Sequence, residues 1–211
     1  MNSTPAHSLF DEAYESRSAP WVIGEPQPAI VELERTGRLG GKVLDVGCGA
    51  GEHTMLLTRL GDDVLGIDFS ERAVAQAREN AAQRGIDAHF AVADATRLGE
   101  SPGPRYDTIV DSALFHVFDD ADRPRYVASL HRAARPGATV HVLALSDAGR
   151  GFGPQVSAEV IRRAFAEGWE LEALDITTYR GVVGAAHAEA LGEQVGARVD
   201  EPAWLARVRR L

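Results

Sequence analysis

Cysteine is almost absent from this chain of 211 residues, since the only one is Cys48. One thiol cannot form an internal disulfide, which excludes a disulfide-stapled secreted scaffold. The first residues, MNSTPAHSLFDEAYES, also lack the basic and apolar blocks of a secretion signal. We therefore expect a protein of the reducing cytoplasm.

Long hydrophobic runs are missing as well. No apolar stretch approaches the roughly 18 residues needed to cross a bilayer, so we expect no membrane partner. Basic residues are few: 22 Lys and Arg stand against 31 Asp and Glu, which gives a formal net charge of -9. Phosphate backbones are bound by basic surfaces, so this balance argues against nucleic acid as a partner. The histidines show no ligand-like spacing, and we expect no metal site.

Glycine, in contrast, is concentrated in one informative place, the stretch KVLDVGCGAG from Lys42 to Gly51. Val43–Val46 is typical of a short buried strand, and three glycines follow at alternate positions. A helical run then begins at Glu52. A strand, a glycine-rich turn and a helix N-terminus together form a place where backbone closely approaches a ligand.

The rest of the chain alternates between strands and helices. The patterns predict strands at Lys42–Val46, Asp63–Ile67, Ala88–Val92, Asp107–Asp111, Thr139–Leu145, Trp169–Tyr179 and Trp204–Arg210. They predict helices at Pro28–Thr36, Glu52–Leu60, Glu71–Arg84, Asp122–Arg135 and Ala158–Glu167, and an irregular lead segment over 1–26. Such alternation indicates βαβ units. We expect an α/β fold: a Rossmann-like, doubly wound, mostly parallel seven-stranded sheet with a final antiparallel strand and helices on both faces.

The predicted organisation is one domain over 1–211. Residues 1–40 form an N-terminal lid and helix, 41–146 a ligand-binding core, and 147–211 a C-terminal helix and strands, with Gly181–Asp200 expected as an insertion outside the core. In parallel sheets ligands bind at the carboxyl ends of the strands. The informative side chains are therefore those that directly follow each strand.

The glycine turn does not suit a phosphorylated ligand. In the dinucleotide fingerprint G-x-G-x-x-G the third glycine falls where this chain has Glu52, and Gly51 comes one residue early. A pyrophosphate would meet the negative charges of Glu52 and nearby Asp45. A P-loop is excluded because no Gly-Lys-Ser/Thr follows. The turn favours a ligand without phosphates that carries positive charge.

Four segments in order and spacing, VLDVGCGAGEHT, LGIDFS, VADAT and YDTIVDSALFHVF, resemble the class I S-adenosylmethionine-dependent methyltransferases. The resemblance covers roughly Lys42 to Leu145 and implies S-adenosylmethionine as the cofactor. The implied cofactor-binding residues are Trp21, Asp45, Gly47, Cys48, Gly49, Asp68, Phe69, Asp94, Ala95, Asp111 and Ser112. Cys48 is expected as a small turn residue and not as a nucleophile, because no His or Lys is arranged to activate it.

The resemblance also implies individual roles. Asp68 would bind both ribose hydroxyls, Phe69 would pack on the adenine ring, and Asp94 and the Ala95 amide would contact the adenine edge. The backbone of Gly47 and Gly49 would lie against the methionine moiety, with Asp45 supplying negative charge nearby. Asp111 or Ser112 would meet the amino acid end through backbone.

The acceptor side is predicted from fewer residues. His116 and Tyr14 are the catalytic candidates, and Trp21, Phe115 and His116 the substrate-binding ones. Tyr14 and Trp21 would form a lid, with Trp21 near the reactive methyl. His116 would act as a general base or pack structurally. His53 could approach the cofactor carboxylate or lie on the helix surface.

Little chain lies outside the core, so the predicted partner is a small-molecule methyl acceptor, with the protein a monomer or homodimer. The lead segment PWVIGEPQPAIVEL resembles that of small thiopurine, thiol and tellurite-type methyltransferases, which favours a soft nucleophile such as a thiol. The alternatives are an O- or N-methyltransferase with His116 as base, a halide or other anion methyltransferase, and a non-methylating S-adenosylmethionine-binding protein.

Overall fold

A seven-stranded sheet forms the centre of the computed structural model, which describes residues 4–5, 7–100, 103 and 105–211, with only the backbone of His7. The strand order is β3-β2-β1-β4-β5-β7-β6. The strands are β1 Lys42–Val46, β2 Asp63–Asp68, β3 His89–Val92, β4 Tyr106–Ser112, β5 Ala134–Leu145, β6 Trp169–Val182 and β7 Arg198–Arg210. The pairs from β3 to β5 are parallel, whereas β7 runs antiparallel to both β5 and β6. The predicted fold class is confirmed.

Helices cover both faces of this sheet. They are α1 His7–Glu15, α2 Pro28–Arg35, α3 Glu52–Leu60, α4 Glu71–Gln83, α5 Arg123–Ala133, α6 Ala158–Ala164 and α7 Ala185–Leu191. Alternate residues of one strand enter opposite cores: Leu44 packs with α5 and α6, while its neighbour Val43 packs with α2, α3 and α7. No helix in the described part of the chain is long and apolar enough to cross a membrane.

The lead segment contains a helix that the sequence patterns do not predict. α1 has nine residues, which is too short to be stable alone in water, so packing decides its conformation. It lies against α4, where Asp11 accepts a hydrogen bond from the Ser70 hydroxyl at 2.5 Å and Glu15 pairs with Arg72 at 3.1 Å. The expectation of an irregular lead segment is corrected for this part.

The last two strands are longer than predicted. They pair from Trp169↔Arg210 to Val182↔Arg198, with one register shift between Leu171 and Ala173. Both ends of the expected Gly181–Asp200 insertion, 181–182 and 198–200, therefore belong to the sheet. Only 183–197, with α7, connects β6 to β7. Antiparallel pairing continues past the alternating pattern because each strand satisfies the other's backbone groups regardless of side chain.

Candidate active site

The carboxyl ends of the central strands open into a cavity of about 760 Å³. Its floor is the glycine turn after β1 and the ends of β2 and β4. Its cover is α1 together with the segment that follows it, including Trp21. The cavity therefore lies at the edge of the sheet where ligands of doubly wound folds bind.

The glycine turn follows a path that side chains disfavour, because Gly47, Gly49 and Gly51 have φ of 71°, 54° and 87°. A Cβ at Gly49 would lie 2.7 Å from the Tyr14 hydroxyl oxygen, and one at Gly51 would lie 2.8 Å from the ring of Phe90. Gly49 thus lets the lid approach the turn. Gly51 lets the turn pack closely against Phe90 of the core.

Asp68 connects this turn to the end of β2. Its Oδ2 accepts a hydrogen bond from the Gly49 amide at 3.0 Å and its Oδ1 accepts one from the Ser70 amide at 2.9 Å. Burial raises the pKa of this carboxyl above its ordinary value. Asp68 also lines the cavity, and each oxygen keeps a second lone pair for a ligand donor.

The neighbouring residues of the predicted cofactor set line the same cavity. They are Gly47, Cys48, Gly49, Phe69, Asp94, Ala95 and Ser112. Asp94 Oδ1 caps the short turn Ala95–Arg97 by accepting from the Thr96 amide at 2.8 Å. The hydroxyl of Ser112 is buried, and no hydrogen-bond partner is found for it among the residues that the structure describes. An orphaned donor at a cavity wall is a group that a ligand can satisfy.

Asp45 and Asp111 do not reach the cavity. Asp45 Oδ2 accepts from the Thr54 amide at 3.1 Å and the Thr54 hydroxyl at 2.6 Å, which holds the start of α3. Asp111 accepts from the Tyr126 hydroxyl at 2.6 Å and from the Leu114 amide at 3.0 Å. Burial raises the pKa of both carboxyls to about 6. Their side chains support the turns around the cavity instead of facing it.

Phe115 is also displaced from its expected place. Its side chain is fully buried and its ring stacks on Phe165 with 5.6 Å between centroids. The Phe115 amide is held by Asp111 at 3.1 Å, so the short helical turn Phe115–Val117 points this ring into the core. The expectation that Phe115 forms the acceptor pocket is corrected.

His116, by contrast, lines the cavity. Its Nδ1 accepts a hydrogen bond from the Leu145 amide at 3.0 Å. Burial lowers the pKa of the imidazole to about 3, so the ring is neutral. A neutral ring whose Nδ1 accepts must carry its hydrogen on Nε2. Toward a ligand, His116 is therefore a hydrogen-bond donor.

Tyr14 and Trp21 form the lid together. Trp21 Nε1 donates to the Tyr14 hydroxyl oxygen at 2.8 Å, and the Phe10 ring lies 5.5 Å from that of Trp21 and 5.7 Å from that of Phe69. Burial and then the charge of Asp68 raise the pKa of Tyr14 well above its ordinary value. Tyr14 is therefore a phenol that accepts one hydrogen bond and does not ionise near neutral pH.

Sequence patterns missed Phe10, Gln27 and Tyr179, which also line the cavity. The Gln27 side chain donates to the Arg180 carbonyl at 2.8 Å and accepts from the Arg180 amide at 2.9 Å, which fastens the lid segment to β6. Residues 153 positions apart make this contact, and no local signal could have revealed it. The occurrence of Phe10, with Tyr14 and Trp21, in an otherwise polar segment was the one available hint.

These features fit S-adenosylmethionine. A carboxylate at Asp68 suits a ribose diol, aromatic and polar groups beside it suit an adenine ring, and the glycine turn 47–51 has no basic group for phosphate. No cluster of residues suited to hold a metal ion occurs in the part of the chain that the structure describes.

Comparison with known proteins agrees. A family model described as a methyltransferase domain matches residues 43–137. The 2-heptyl-1-hydroxyquinolin-4(1H)-one methyltransferase of Mycobacteroides abscessus is 40% identical over 144 residues, which are 67% of this chain and 63% of that enzyme. An uncharacterized methyltransferase of Schizosaccharomyces pombe, C1348.04, is 33% identical over 117 residues, 56% of this chain and 80% of the relative.

Solved structures show the same architecture over nearly the whole chain. One of them concerns the conversion of a disulfide bond into a thioacetal group during echinomycin biosynthesis and is 38% identical to this chain. Its TM-score is 0.85, and the match covers 96% of this chain and 91% of that one. Magnesium protoporphyrin IX methyltransferase from Synechocystis PCC 6803 with bound SAM, 18% identical, has a TM-score of 0.62 over 95% of this chain and 79% of its own, and shows the fold alone.

A Rossmann-like sheet with this glycine turn and this cavity defines a ligand-binding, doubly wound α/β fold. The chain belongs to the class I S-adenosylmethionine-dependent methyltransferases, and S-adenosylmethionine is its cofactor. It spans 63% of the length of the mycobacterial relative. The cofactor roles of the individual residues remain predictions.

Proposed function

We propose that this protein transfers the methyl group of S-adenosylmethionine to a soft nucleophile on a small molecule, most simply a thiol. The observation that carries the proposal is the hydrogen bonding of His116: its Nδ1 is occupied by the Leu145 amide. The residue predicted as general base therefore has no free lone pair. Tyr14, the other catalytic candidate, is held as a neutral phenol.

The absence of basic character in these two residues favours an acceptor that ionises by itself. The bound cofactor supplies an activated methyl group on a sulfonium, so the protein must align the acceptor and exclude water. A few per cent of an ordinary thiol is already thiolate at pH 7, and thiolates are intrinsically strong nucleophiles. Phenols and amines with higher pKa values depend more on a base.

The cavity supplies what a thiolate needs. His116 provides a donor group at its wall, and Trp21, Phe152 and Leu145 provide apolar surface. A donor aimed at an anionic acceptor holds it while the aromatic lid keeps water away. The mechanism thus assigns His116 to acceptor positioning and the lid to desolvation.

Two relatives support a sulfur acceptor. A probable thiol methyltransferase 2 of Arabidopsis thaliana is 26% identical over 152 residues, 72% of this chain and 67% of the relative. The structural relative with 38% identity is described by chemistry that converts a disulfide into a thioacetal. Both descriptions concern those proteins, and they guide the choice of acceptors to test.

The test is incubation with methyl-labelled cofactor and a matched panel of thiols, phenols, amines and halides. We expect methylated product from thiols, with a rate that rises with pH as the acceptor thiol ionises. Faster turnover of phenols or amines than of every thiol would overturn the acceptor class. Absence of labelled product across the whole panel, with the cofactor bound, would favour a non-methylating cofactor-binding protein.

A further inference from the structure

One carboxylate at the cavity wall has no cation beside it. Glu52 is the first residue of α3 and lines the cavity. Among the described residues no ion pair within 4.0 Å is found for it, and its carboxylate accepts a hydrogen bond from its own backbone amide. Arg84 attracts the Glu52 carboxylate electrostatically without bonding to it. The Arg84 guanidinium instead donates to the Gly24 carbonyl at 3.4 Å and to the Met55 sulfur at 4.0 Å.

Burial makes this unpaired charge costly. Glu52 is half-buried, and burial raises the pKa of its carboxyl above the ordinary value. A carboxylate in a cavity wall gains most from a ligand that brings a positive charge, because the ligand restores what water no longer supplies. Asp45 cannot serve this purpose, since it is buried under the turn and occupied by Thr54.

A neutral hydrogen-bond donor, His53, is the next residue after Glu52. His53 Nε2 accepts a hydrogen bond from the Gln27 amide at 3.1 Å. Burial lowers the pKa of His53 to about 4, so the ring is neutral and carries its hydrogen on Nδ1. The same wall thus offers an anion and an N–H donor on adjacent residues of the first turn of α3, and the orphaned Ser112 hydroxyl lies at the end of β4.

The direction of the cofactor follows from the rest of the site. Asp68 ends β2, Phe69 follows it and Asp94 lies after β3, so these residues form the side of the cavity over β2 and β3. If these residues hold the adenosine, the amino acid end must extend over the glycine turn to the other side, where α3 and the end of β4 meet it. That end is a zwitterion with one ammonium and one carboxylate.

We propose that Glu52, and not Asp45, binds the ammonium group of the cofactor's amino acid end, while the His53 N–H donates to its carboxylate. The proposal rests on S-adenosylmethionine as the cofactor. It makes Glu52 a binding residue that orients the cofactor and leaves the acceptor side unaffected.

The test compares two product-like ligands on the full chain. S-adenosylhomocysteine has the ammonium and carboxylate but no sulfonium, and 5′-methylthioadenosine lacks the amino acid end altogether. For Glu52→Gln we expect calorimetric affinity for S-adenosylhomocysteine to fall by about tenfold, the scale of one charged hydrogen bond. Affinity for 5′-methylthioadenosine should remain within about twofold of wild type, since that ligand does not reach Glu52.

Glu12→Gln is the matched control, because Glu12 is a carboxylate at the same cavity that is exposed on α1. It should leave both affinities unchanged. Equal affinity of wild type and Glu52→Gln for S-adenosylhomocysteine would overturn the proposal. So would an equal loss for both ligands, which would mean that the substitution disturbs the turn. Neither ligand needs an acceptor, so this outcome is independent of the thiol assays.

Discussion

Single residues of this site combine two tasks. Asp68 holds the amides of Gly49 and Ser70 and still faces the cavity. The side chain that is expected to bind the ribose therefore also fixes the turn on which the methionine moiety would lie. Cofactor affinity and local stability are coupled at this position.

For Asp68→Ala we expect cofactor affinity to fall by about 1–3 kcal/mol, the cost of removing the partner of charged hydrogen bonds. Because two backbone amides lose their acceptor as well, the melting temperature of the free protein should also fall. Calorimetric titration and thermal unfolding measure the two effects. Unchanged affinity would remove Asp68 from the cofactor site.

His116 permits a separate test of donor against base. Its pKa of about 3 lies below the ordinary value, so its protonation state does not change between pH 5 and pH 9. We expect the pH–rate profile with a thiol to follow the acceptor and to show no inflection near 6.5, the ordinary histidine pKa. An inflection near pH 6.5 that is present in the wild type and absent from a His116→Gln variant would show that His116 acts as a base.

His116→Gln retains an N–H donor, whereas His116→Phe does not. We expect turnover of the Gln variant within about tenfold of wild type and a larger loss for Phe, since one hydrogen bond is worth about this factor. Cofactor affinity should be nearly intact in both variants. If Gln and Phe lose activity equally, donation by residue 116 is not the reason for its effect.

At the scale of elements, the lid is attached at its far end more firmly than its sequence suggests. Besides the two Gln27 hydrogen bonds, the Val182 amide donates to the Pro20 carbonyl at 2.8 Å. Glu25 pairs with Arg198, and with Arg180 at 3.7 Å. The exposed ion pairs add little, whereas buried Gln27 satisfies two backbone groups of an edge strand.

Gln27→Ala should leave the Arg180 amide and carbonyl unpaired and weaken lid attachment by about 1–3 kcal/mol. We expect faster limited proteolysis between α1 and α2 and a higher KM for the acceptor. Glu32→Ala, which removes an exposed ion pair with Arg35 on α2, is the control and should change neither. Wild-type proteolysis of Gln27→Ala would show that other contacts hold the lid.

Over the whole molecule, buried neutral histidines make stability depend on pH. His141 on β5 is fully buried, its Nε2 lies 3.2 Å from the Arg38 carbonyl, and burial lowers its pKa to about 4. The unfolded chain binds a proton near pH 6.5 and the folded protein does not. The contribution of His141 is therefore fully present above about pH 6.5 and is lost as the pH falls toward 4.

We expect His141→Gln to have a flatter acid limb than wild type. Between pH 6 and pH 4.5 the difference in unfolding free energy should change by roughly 1.4 kcal/mol per pH unit, the value for one proton. Denaturant titrations across this range give the slope. The raised pKa values of Asp45 and Asp111 stabilise the folded protein as the pH falls, which is opposite to the effect of His141. Both residues are present in wild type and variant, so their effects cancel in the difference. Parallel curves would mean that His141 protonates while folded.

The sequence by itself determined the sheet, the glycine turn and the cofactor. These depend on local patterns: buried strands alternate with amphipathic helices, the positive φ of Gly47, Gly49 and Gly51 requires glycine, and Asp68 lies at the carboxyl end of a strand. Because parallel strands place their carboxyl ends at one edge, sequence order translates into proximity there. The lining of the cavity by Asp68, Phe69 and Asp94 follows from this rule.

Only the tertiary structure decided which way each side chain points and what occupies it. Asp45 and Asp111 have the position of ligand-binding carboxylates but face Thr54 and Tyr126, and His116 is turned into a donor by the Leu145 amide. Each of these partners lies on another element. Local propensity cannot encode them, because they exist only after the helices and the lid have packed on the sheet.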